Sequence, residues 1–449
     1  MAIDRKLGMV YAPTGSAAFD FYGGNRHGAN LFANTMLALD AHTGKRIWHY
    51  QLVHHDIWDR DPPAPPNLVT IEKEGQQIES VAQITKQGYV FLFNRLTGEP
   101  IFPIEERTVA GSDIPGEMPY PTQPFPTKPA PFTRQSFTQK DVREDVVDRQ
   151  EVLRQLEASR TGAPYMPITL QRTIIFPGTD GGAQWGGAAV DQEGIMYVPA
   201  KEIPVYTSLK DAPPSEGTVS TGKKLYETNC ASCHGAARKG DHAGTYPGLQ
   251  NIGVRMKDEQ MRALVKKGRG MMPAFTQLSE DETTAIINFI NDKEDKGAAV
   301  VSSVPKSTSP NVHTGYNRWY GADGLPVNNP PWGTITAINL STGDRLWQVP
   351  LGEFKSLTEK GIPPTGTDNY GGPLVTSSGL LFIAATPDKK LRALDKRTGK
   401  LLWETVLPSA GYASPSTYSV AGKQYIVIAC GGGKLKSQSG DRYVAFALK

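Results

Sequence analysis

The chain has 449 residues, enough to bury a large core and to form more than one domain. Its 48 Lys and Arg residues nearly balance its 45 Asp and Glu residues, which excludes the basic surface typical of nucleic-acid-binding proteins. No apolar run is long enough for a transmembrane helix, and the first residues do not read as a secretory signal. Frequent Gly (46) and Pro (35) residues favour many turns between short strands.

A short phrase recurs along the chain, at residues 38–48, 337–347 and 393–403, with a diverged copy at 92–102. In each copy a strand ends at Asp or Asn, a Thr-Gly turn follows, and a second strand carries an aromatic residue. The Asp or Asn side chain can cap the turn, the glycine takes a positive φ, and the ring packs between sheets. The copy at 38–48 and the copy at 92–102 are about fifty residues apart, as are the copies at 337–347 and 393–403, and this is the period of a four-stranded propeller blade. A hairpin-rich β-sandwich is the alternative.

The stretch "VHHDIWDRD" (53–61) follows the first copy and sets two histidines and three aspartates around a tryptophan. Further along, Lys86 opens the strand-like segment "TKQGYVFLFNR". A carboxylate and an ammonium at the mouth of a propeller can form an acid/base pair, and Asp59 with Lys86 is the pair that we predict. The alternative is a polar loop that only closes a blade.

Between roughly residues 217 and 297 the hydrophobic pattern changes from alternation to a helical period. The segment "KDEQMRALVKKGRG" spaces Met261, Leu264 and Val265 as one face of a helix would. The segment "LSEDETTAIINFI" begins with a capping box formed by Ser279 and Glu282. We therefore predict a helical module, inserted between blades.

The module contains "CASCH", in which Cys230 and Cys233 are followed directly by His234. C-x-x-C-H is the attachment signature of c-type haem: the two thiols bind the haem covalently and the histidine supplies an axial nitrogen to iron. A zinc site would need more Cys or His ligands, and the module offers only His242 in addition. A redox dithiol would not need the adjacent histidine.

The second axial ligand is predicted in "GRGMMPAF", where a methionine before proline can present its thioether to the iron. Met272 directly precedes Pro273 and is the preferred ligand, and Met271 is the alternative. The third cysteine, Cys430, lies in an apolar run and is predicted to be a small core residue.

Several motifs outside the module resemble the pyrroloquinoline quinone (PQQ) dehydrogenases, and most closely their glucose dehydrogenase branch. They are "PTGSAAFDFYGG", "VHHDIWDRD", "ITKQGYVFLFNRLTG", "PTQPFPTKP", "QWGGAAVD", "PPWGTITAI" and "GGPLVTSSGLLFIAAT". The module itself resembles a class I cytochrome c. The resemblance implies a mainly β protein, a partial eight-bladed propeller (1–216 and 298–449) with an inserted all-α cytochrome c domain (217–297).

The resemblance also implies roles for individual residues. Asp59 matches the family's catalytic base and metal ligand, and Lys86 matches the residue that hydrogen-bonds the reactive quinone carbonyl. The metal is expected to be Ca²⁺, which suits carboxylate and carbonyl oxygens. Asp61 is a further candidate ligand, as is Ser16, which stands where relatives often have Asn. Relatives commonly carry another Asn near the cofactor, at a segment that here reads "YVPAK" and ends at Lys201.

The function implied is PQQ-dependent oxidation of a sugar or polyol hydroxyl, with electrons passing from PQQ to haem c and on to a downstream cytochrome or quinone. The alternative is a non-catalytic haem c electron-transfer or propeller binding protein that has lost PQQ. The departures at Ser16 and Lys201 favour this alternative, whereas the presence of both Asp59 and Lys86 opposes it.

The strand-rich part of the chain is long enough for four to five blades of about fifty residues each. Since the resembling enzymes close a ring of eight blades, we expect this chain to be the carboxy-terminal part of a longer protein. The missing front half would carry the remaining cofactor ligands and an export signal, which places the expected location in the periplasm.

Overall fold

A computed structural model describes residues 1–162, 164–211, 222–240, 246–269, 272–293 and 311–447. The chain divides into two compact units. The first contains Met1–Lys210, Asn311–Gly432 and Ser437–Lys449, and the second contains Asp211–Pro310 with Gly433–Lys436. The predicted module, 217–297, falls inside the second unit.

The strands are, in chain order, β1 (Ala2–Asp4), β2 (Met9–Pro13), β3 (Thr35–Asp40), β4 (Arg46–Gln51), β5 (Asn67–Lys73), β6 (Gln76–Ile84), β7 (Val90–Asn94), β8 (Ile104–Thr108), β9 (Thr122–Pro126), β10 (Thr173–Ile175), β11 (Ala189–Val190), β12 (Ile195–Lys201), β13 (Val205–Thr207), β14 (Leu209–Asp211), β15 (Asn311–His313), β16 (Asn317–Arg318), β17 (Gly333–Asn339), β18 (Asp344–Pro350), β19 (Leu374–Val375), β20 (Leu380–Ile383), β21 (Lys390–Asp395), β22 (Leu401–Val406), β23 (Ser416–Val420), β24 (Lys423–Cys430) and β25 (Arg442–Phe446). The α-helices are α1 (Arg149–Glu157), α2 (Gly222–Asn229), α3 (Ala231–His234), α4 (Asp258–Lys267), α5 (Glu280–Ile290) and α6 (Lys355–Thr358). Short 3-10 helices cover Gln139–Asp141 and Ile252–Val254.

The strands form small antiparallel sheets. Four-stranded sheets have the orders β1-β2-β3-β4, β11-β12-β17-β18 and β19-β20-β21-β22. Three-stranded sheets have the orders β5-β6-β7, β10-β13-β16 and β23-β24-β25, and the pairs β8-β9 and β14-β15 complete the set in the described residues.

The insertion point of the second unit differs from the prediction. Strands β12 and β17 pair along their whole length, from Ile195 opposite Asn339 to Lys201 opposite Gly333. The long segment of the second unit, Asp211–Pro310, lies between these two strands in sequence. The insertion therefore interrupts one sheet, between its second and third strands, and the expected position between blades was wrong.

In the copies at 38–48, 337–347 and 393–403 the repeated phrase forms the predicted hairpin, which joins the third and fourth strands of a sheet. In the diverged copy at 92–102 the turn follows β7, the last strand of a three-stranded sheet. The Oδ1 atom of Asp40, at the end of β3, accepts a hydrogen bond of 2.7 Å from the backbone N–H of Thr43. Asp395, at the end of β21, accepts the equivalent bond from Thr398 at 3.0 Å. The glycine that follows has a positive φ in each turn, +68° at Gly44 in the first, where a β-carbon is strained.

The aromatic residue of the phrase packs between sheets, again as predicted. Trp48 in β4 covers the turn glycine Gly98 of the next sheet, where an added Cβ would lie 2.6 Å from the indole. The Trp48 Nε1–H donates to the carbonyl of Arg95 in the same turn at 2.8 Å. Trp347 in β18 covers Gly399 in the same way. These contacts fix one sheet against the next.

Successive sheets also pack face to face through buried apolar clusters. Pairs of side chains that share a cluster across two sheets are Tyr11 with Phe91, Leu92 with Met196, Tyr197 with Leu381, and Leu391 with Ile428. The packing order is thus the order of the sheets along the chain, which is that of propeller blades. Cys430 is fully buried in the last of these clusters, so its prediction as a core residue is confirmed.

The second unit contains the predicted helices. Ser279 Oγ accepts from the backbone N–H of Glu282 at 3.2 Å, and Glu282 Oε2 accepts from the N–H of Ser279 at 2.9 Å, which confirms the capping box. Helix α2 meets α5 so closely that a Cβ on Gly222 would lie 2.1 Å from the carbonyl oxygen of Ala285. Across the described part of the chain, no helix has the length and apolar character that a membrane span requires.

The Trp48 contact makes a direct prediction about turn glycines. Gly98→Ala should lower the free energy of unfolding by about 2–4 kcal/mol, because the new methyl group meets the indole and the residue keeps a positive φ. Gly44→Ala is the matched control: its φ is also positive, but no atom lies within 4 Å of the added Cβ. It should cost only about 1 kcal/mol. Urea titrations of both variants, followed by tryptophan fluorescence, would check this; equal losses would contradict it.

Candidate active site and haem motif

Lys86 lies at the centre of the candidate site in the first unit. It follows β6, and its side chain is 11% exposed. Its ammonium group donates to Asp59 Oδ1 at 2.9 Å and to Asp61 Oδ1 at 2.6 Å, and also reaches the backbone carbonyl of Asp59 at 3.1 Å. The structure therefore brings together three of the residues singled out in the sequence.

The two carboxylates beside Lys86 titrate differently. Burial raises the pKa of Asp59 well above its usual range, the negative charges of Asp61 and Asp20 add to this, and Lys86 opposes it. Burial acts in the same direction on Asp61, but the charge of Lys86 and a hydrogen bond from Asp59 hold the pKa of Asp61 below its ordinary value. Burial would lower the pKa of Lys86, yet the two carboxylates outweigh it and raise that pKa. Asp59 is thus the carboxylate with the greater affinity for a proton.

A third aspartate, Asp56, holds the loop that carries Asp59 and Asp61. Its carboxylate is 1% exposed and accepts hydrogen bonds from the backbone N–H groups of Trp58 at 2.8 Å and Arg60 at 2.6 Å. This local cap bends the chain so that Asp59 adopts a φ of +57°, an uncommon value for a residue with a side chain.

Asp56 also accepts a hydrogen bond from the hydroxyl of Ser16, the predicted metal ligand. Ser16 Oγ donates to Asp56 Oδ2 at 2.5 Å, and Asn34 Nδ2 donates to the same oxygen at 2.8 Å. In the described residues, no three His, Cys, Asp or Glu side chains converge as a metal site would require. Ser16 is thus bonded to the loop anchor, whereas Asp59 and Asp61 are bonded to Lys86.

Arg60 links this loop to a second one, residues 177–182. Its side chain is fully buried, and its guanidinium donates to the carbonyls of Gly178 at 2.9 Å and Pro177 at 2.8 Å. Gly181 has a φ of +82°, and a Cβ there would lie 2.5 Å from Lys86 Cβ. The N–H of Gly182 donates to the carbonyl of Lys86 at 2.6 Å. The second loop therefore packs directly against the backbone of Lys86.

Asp180, in the second loop, is partly exposed and belongs to an ionic network whose other members include the buried Lys201 and Asp368. Its Oδ2 pairs with Arg318, accepts from Tyr370 Oη at 2.9 Å and lies 3.3 Å from Lys201 Nζ. Lys201 and Arg318 also pair with Asp368, at 3.7 and 3.3 Å. Burial lowers the pKa of Lys201 to about 8, although Asp180 and Asp368 act to raise it. The sequence departure at Lys201 thus supplies one of two cations that balance two carboxylates.

Trp185 lies three residues beyond Gly182, in the "QWGG" segment. Its indole stacks on the ring of Tyr370 with centroids 6.2 Å apart and an interplanar angle of 25°. The residue is still 46% exposed, which is high for tryptophan. An exposed indole of this kind is suited to stacking against a flat ligand.

The C-x-x-C-H motif spans the start of α3 in the second unit. His234 Nδ1 lies 2.8 Å from the carbonyl oxygen of Pro247, so Nδ1 carries the hydrogen and Nε2 keeps its lone pair for a metal. Cys230 is partly buried against the apolar core of the unit, and burial together with Cys233 raises the pKa of its thiol to about 12.

Met272 lies after α4, and its backbone exchanges two hydrogen bonds, of 3.0 and 3.1 Å, with the backbone of Arg269. Its side chain is half-buried. The alternative ligand Met271 and the nearby His242 lie outside the described residues.

A family model described as the β-propeller domain of PQQ glucose/ethanol/alcohol dehydrogenases matches residues 1–243 and 241–426. The chain belongs to this family.

Named relatives agree with this assignment. The glycerol dehydrogenase large subunit of Gluconobacter oxydans is 31% identical over all of this chain and 53% of its own length. Quinoprotein glucose dehydrogenase of Escherichia coli is 30% identical over all of this chain and 48% of its own length. The crystal structure of quinohemoprotein alcohol dehydrogenase from Comamonas testosteroni shares the fold, with 19% identity and a TM-score of 0.52 over 99% of this chain and 47% of that one. The chain spans about half the length of the curated relatives it matches.

The comparisons confirm the PQQ dehydrogenase family and the mainly β propeller. The glycerol and glucose enzymes are about equally similar, so the closer relation to the glucose branch stays a prediction. Around Lys86, the sequence did not reveal the contributions of Asp56, Arg60, Asp180, Arg318 and Trp185. Asp56 and Arg60 lie inside "VHHDIWDRD" and Trp185 inside "QWGGAAVD", whereas no local motif marks Asp180 or Arg318.

The role of Asp56 gives a prediction about stability. Asp56→Ala should lower the free energy of unfolding by roughly 3 kcal/mol, because buried donors on Ser16, Asn34 and the loop backbone lose a charged acceptor. Asp395→Ala is the control, since Asp395 also accepts hydrogen bonds from the backbone of its own turn but is only half-buried. Its loss should be clearly smaller in the same urea titration. An Asp56→Ala variant as stable as the wild type would refute the anchoring role.

Proposed function

We propose that the protein is a PQQ-dependent quinoprotein dehydrogenase that oxidises a CH–OH group of a sugar or polyol. The observation that carries the proposal is the buried Lys86 held between Asp59 and Asp61, in a chain of this family. The names of the relatives, which include glycerol and glucose dehydrogenases, support a polyhydroxylated substrate. The presence of both Asp59 and Lys86, in contact with each other, favours a catalytic protein over the non-catalytic alternative.

The described residues fit PQQ, a flat quinone that carries several carboxylates. Trp185 offers an exposed indole face, Lys86 offers a buried ammonium, and Gly181 and Gly182 leave no side chain between the second loop and Lys86. We therefore assign cofactor contacts to Lys86 and Trp185. When bound, PQQ accepts the hydride that leaves the substrate carbon.

The acid/base chemistry falls to Asp59. Its raised pKa gives its carboxylate the proton affinity needed to take the proton of a substrate hydroxyl near neutral pH. Asp61, which stays ionised, keeps Lys86 protonated after Asp59 has taken up that proton. The Lys86 ammonium then remains a positive charge beside the developing negative charge on oxygen.

Calcium remains part of the proposal with Asp59, Asp61 and Ser16 as oxygen donors. The described residues supply only part of a calcium ligand set, because Ser16 is bonded to Asp56 and no third carboxylate joins Asp59 and Asp61. We therefore derive no step through the metal.

We further propose that the second unit is a class I cytochrome c domain and that haem c accepts electrons from PQQ. The fixed tautomer of His234, which leaves Nε2 available, supports His234 as the proximal ligand beside Cys230 and Cys233. Met272 is the proposed distal ligand. A cytochrome or quinone would take the electrons onward, and covalent haem attachment is consistent with a periplasmic location.

The catalytic proposal predicts that Asp59→Asn abolishes substrate-dependent dye reduction while PQQ still binds, since the amide keeps the shape but not the proton affinity. The loss should be at least about a hundredfold. Asp344→Asn, at an exposed turn, is the control and should keep full activity. Assays use the full-length protein reconstituted with PQQ and Ca²⁺, and binding is followed by tryptophan quenching. Undiminished turnover in Asp59→Asn would show that Asp59 is not the catalytic base.

The haem proposal predicts a covalent c-type haem in protein matured in an export-competent host, seen in the reduced spectrum and in haem staining of denaturing gels. Cys230→Ser with Cys233→Ser should lose the covalent stain. Met272→Ala should keep the haem attached but lose the low-spin methionine-ligated spectrum. Met256→Ala, on another segment of the same unit, is the control. If Met271→Ala gives the spectral loss instead, the distal ligand is Met271.

A further inference from the structure

We propose that Asp180 is a positioning residue that sets Lys86 and Trp185 in the relative arrangement that PQQ requires. This rests on the proposed function insofar as Lys86 and Trp185 are cofactor contacts. Asp180 itself bonds neither residue through its side chain. It acts through residues 178–185, which contain most of the second loop, pack against Lys86 and lead to Trp185.

On one side, this loop fixes Lys86. Gly182 donates its N–H to the carbonyl of Lys86 at 2.6 Å, and its own carbonyl accepts from the N–H of Lys201 at 3.0 Å. The missing side chain at Gly181 allows the loop backbone to lie against the β-carbon of Lys86. A shift of the loop would therefore move the backbone from which the ammonium group is presented.

On the other side, the loop leads to Trp185. Gln184, the residue before it, donates from its side chain to the backbone carbonyl of Asp180. The ring of Tyr370, on which Trp185 stacks, donates its hydroxyl to the Asp180 carboxylate at 2.9 Å. Asp180 therefore contacts both the loop before the indole and the ring beneath it.

The carboxylate of Asp180 is held by groups from separate parts of the fold. Lys201 lies at the end of β12, Arg318 in β16 and Tyr370 in the segment before β19. Because Asp180 and Asp368 balance Lys201 and Arg318, the network carries no net charge that would make it an anion site by itself. Its effect is instead to tie one short loop to three elements.

The test compares Asp180→Asn with Asp388→Asn. Asp388 is likewise the partner of an arginine, Arg392, in the turn before β21, and it makes no contact with Lys86 or Trp185. Its side chain is more buried than that of Asp180, 5% against 41% exposed, so its loss should cost at least as much stability. Both variants should lose stability in urea. Only Asp180→Asn should bind PQQ more weakly, by roughly tenfold, in equilibrium dialysis. Tyr370→Phe, which removes one hydrogen bond and keeps the stacked ring, should shift the affinity in the same direction by less.

A second measurement does not depend on the cofactor. In hydrogen–deuterium exchange by mass spectrometry, peptides covering residues 84–92 and 176–186 should exchange faster in Asp180→Asn than in wild type or Asp388→Asn. If these peptides and the PQQ affinity change no more than in Asp388→Asn, Asp180 is a structural residue only and the inference is overturned. If the wild type fails to bind PQQ while the exchange difference is seen, the positioning role stands and the proposed cofactor falls.

Discussion

The site depends on the cost of burying one ammonium group. An unpaired charge inside a protein costs several kcal/mol or more, so Lys86 can be buried only beside compensating carboxylates. Asp59 and Asp61 provide them within 2.9 Å. Both aspartates lie on one short loop, so Lys86 is neutralised only if that loop keeps its conformation. The neighbouring buried polar groups stabilise this conformation.

The loop is shaped by buried polar groups whose own hydrogen bonds are made within the fold. Asp56 accepts from the loop backbone and from Ser16 and Asn34, and Arg60 donates to the backbone of the neighbouring loop. A buried carboxylate or guanidinium that lost these partners would carry the full desolvation penalty. The arrangement is therefore stiff, and it tolerates the left-handed backbone at Asp59 because the surrounding bonds determine it.

Features that depend on neighbours in sequence could be predicted from the sequence. The Asp-Thr-Gly turns and the Ser279–Glu282 capping box form through hydrogen bonds between residues two or three apart, and both are confirmed. Asp59 and Lys86 were found through family motifs. The partners of Ser16 and Asp180 could not be found in this way, because Asp56 and Arg318 lie far from them along the chain and approach only through the packing of sheets. The insertion of the second unit between two strands of one sheet was not predicted for the same reason. The sequences of β12 and β17 do not indicate that these two strands pair with each other.

The two ionic groups of the first unit differ in what their balance permits. Lys201 and Arg318 lie beside two carboxylates, Asp180 and Asp368. Burial acts to raise the pKa of Asp180, but the two cations outweigh it and hold that pKa well below its usual range. Lys86 also faces two carboxylates, but burial and mutual repulsion leave one of them, Asp59, ready to hold a proton. A site that must accept a proton in each turnover needs such an uneven pair, because a carboxylate stabilised as fully as Asp180 would be too weak a base. A pair of aspartates beside two cations, Lys201 and Arg318, thus forms a structural network, whereas a pair beside the single cation Lys86 provides a base. The number of cations beside each pair of carboxylates makes the difference.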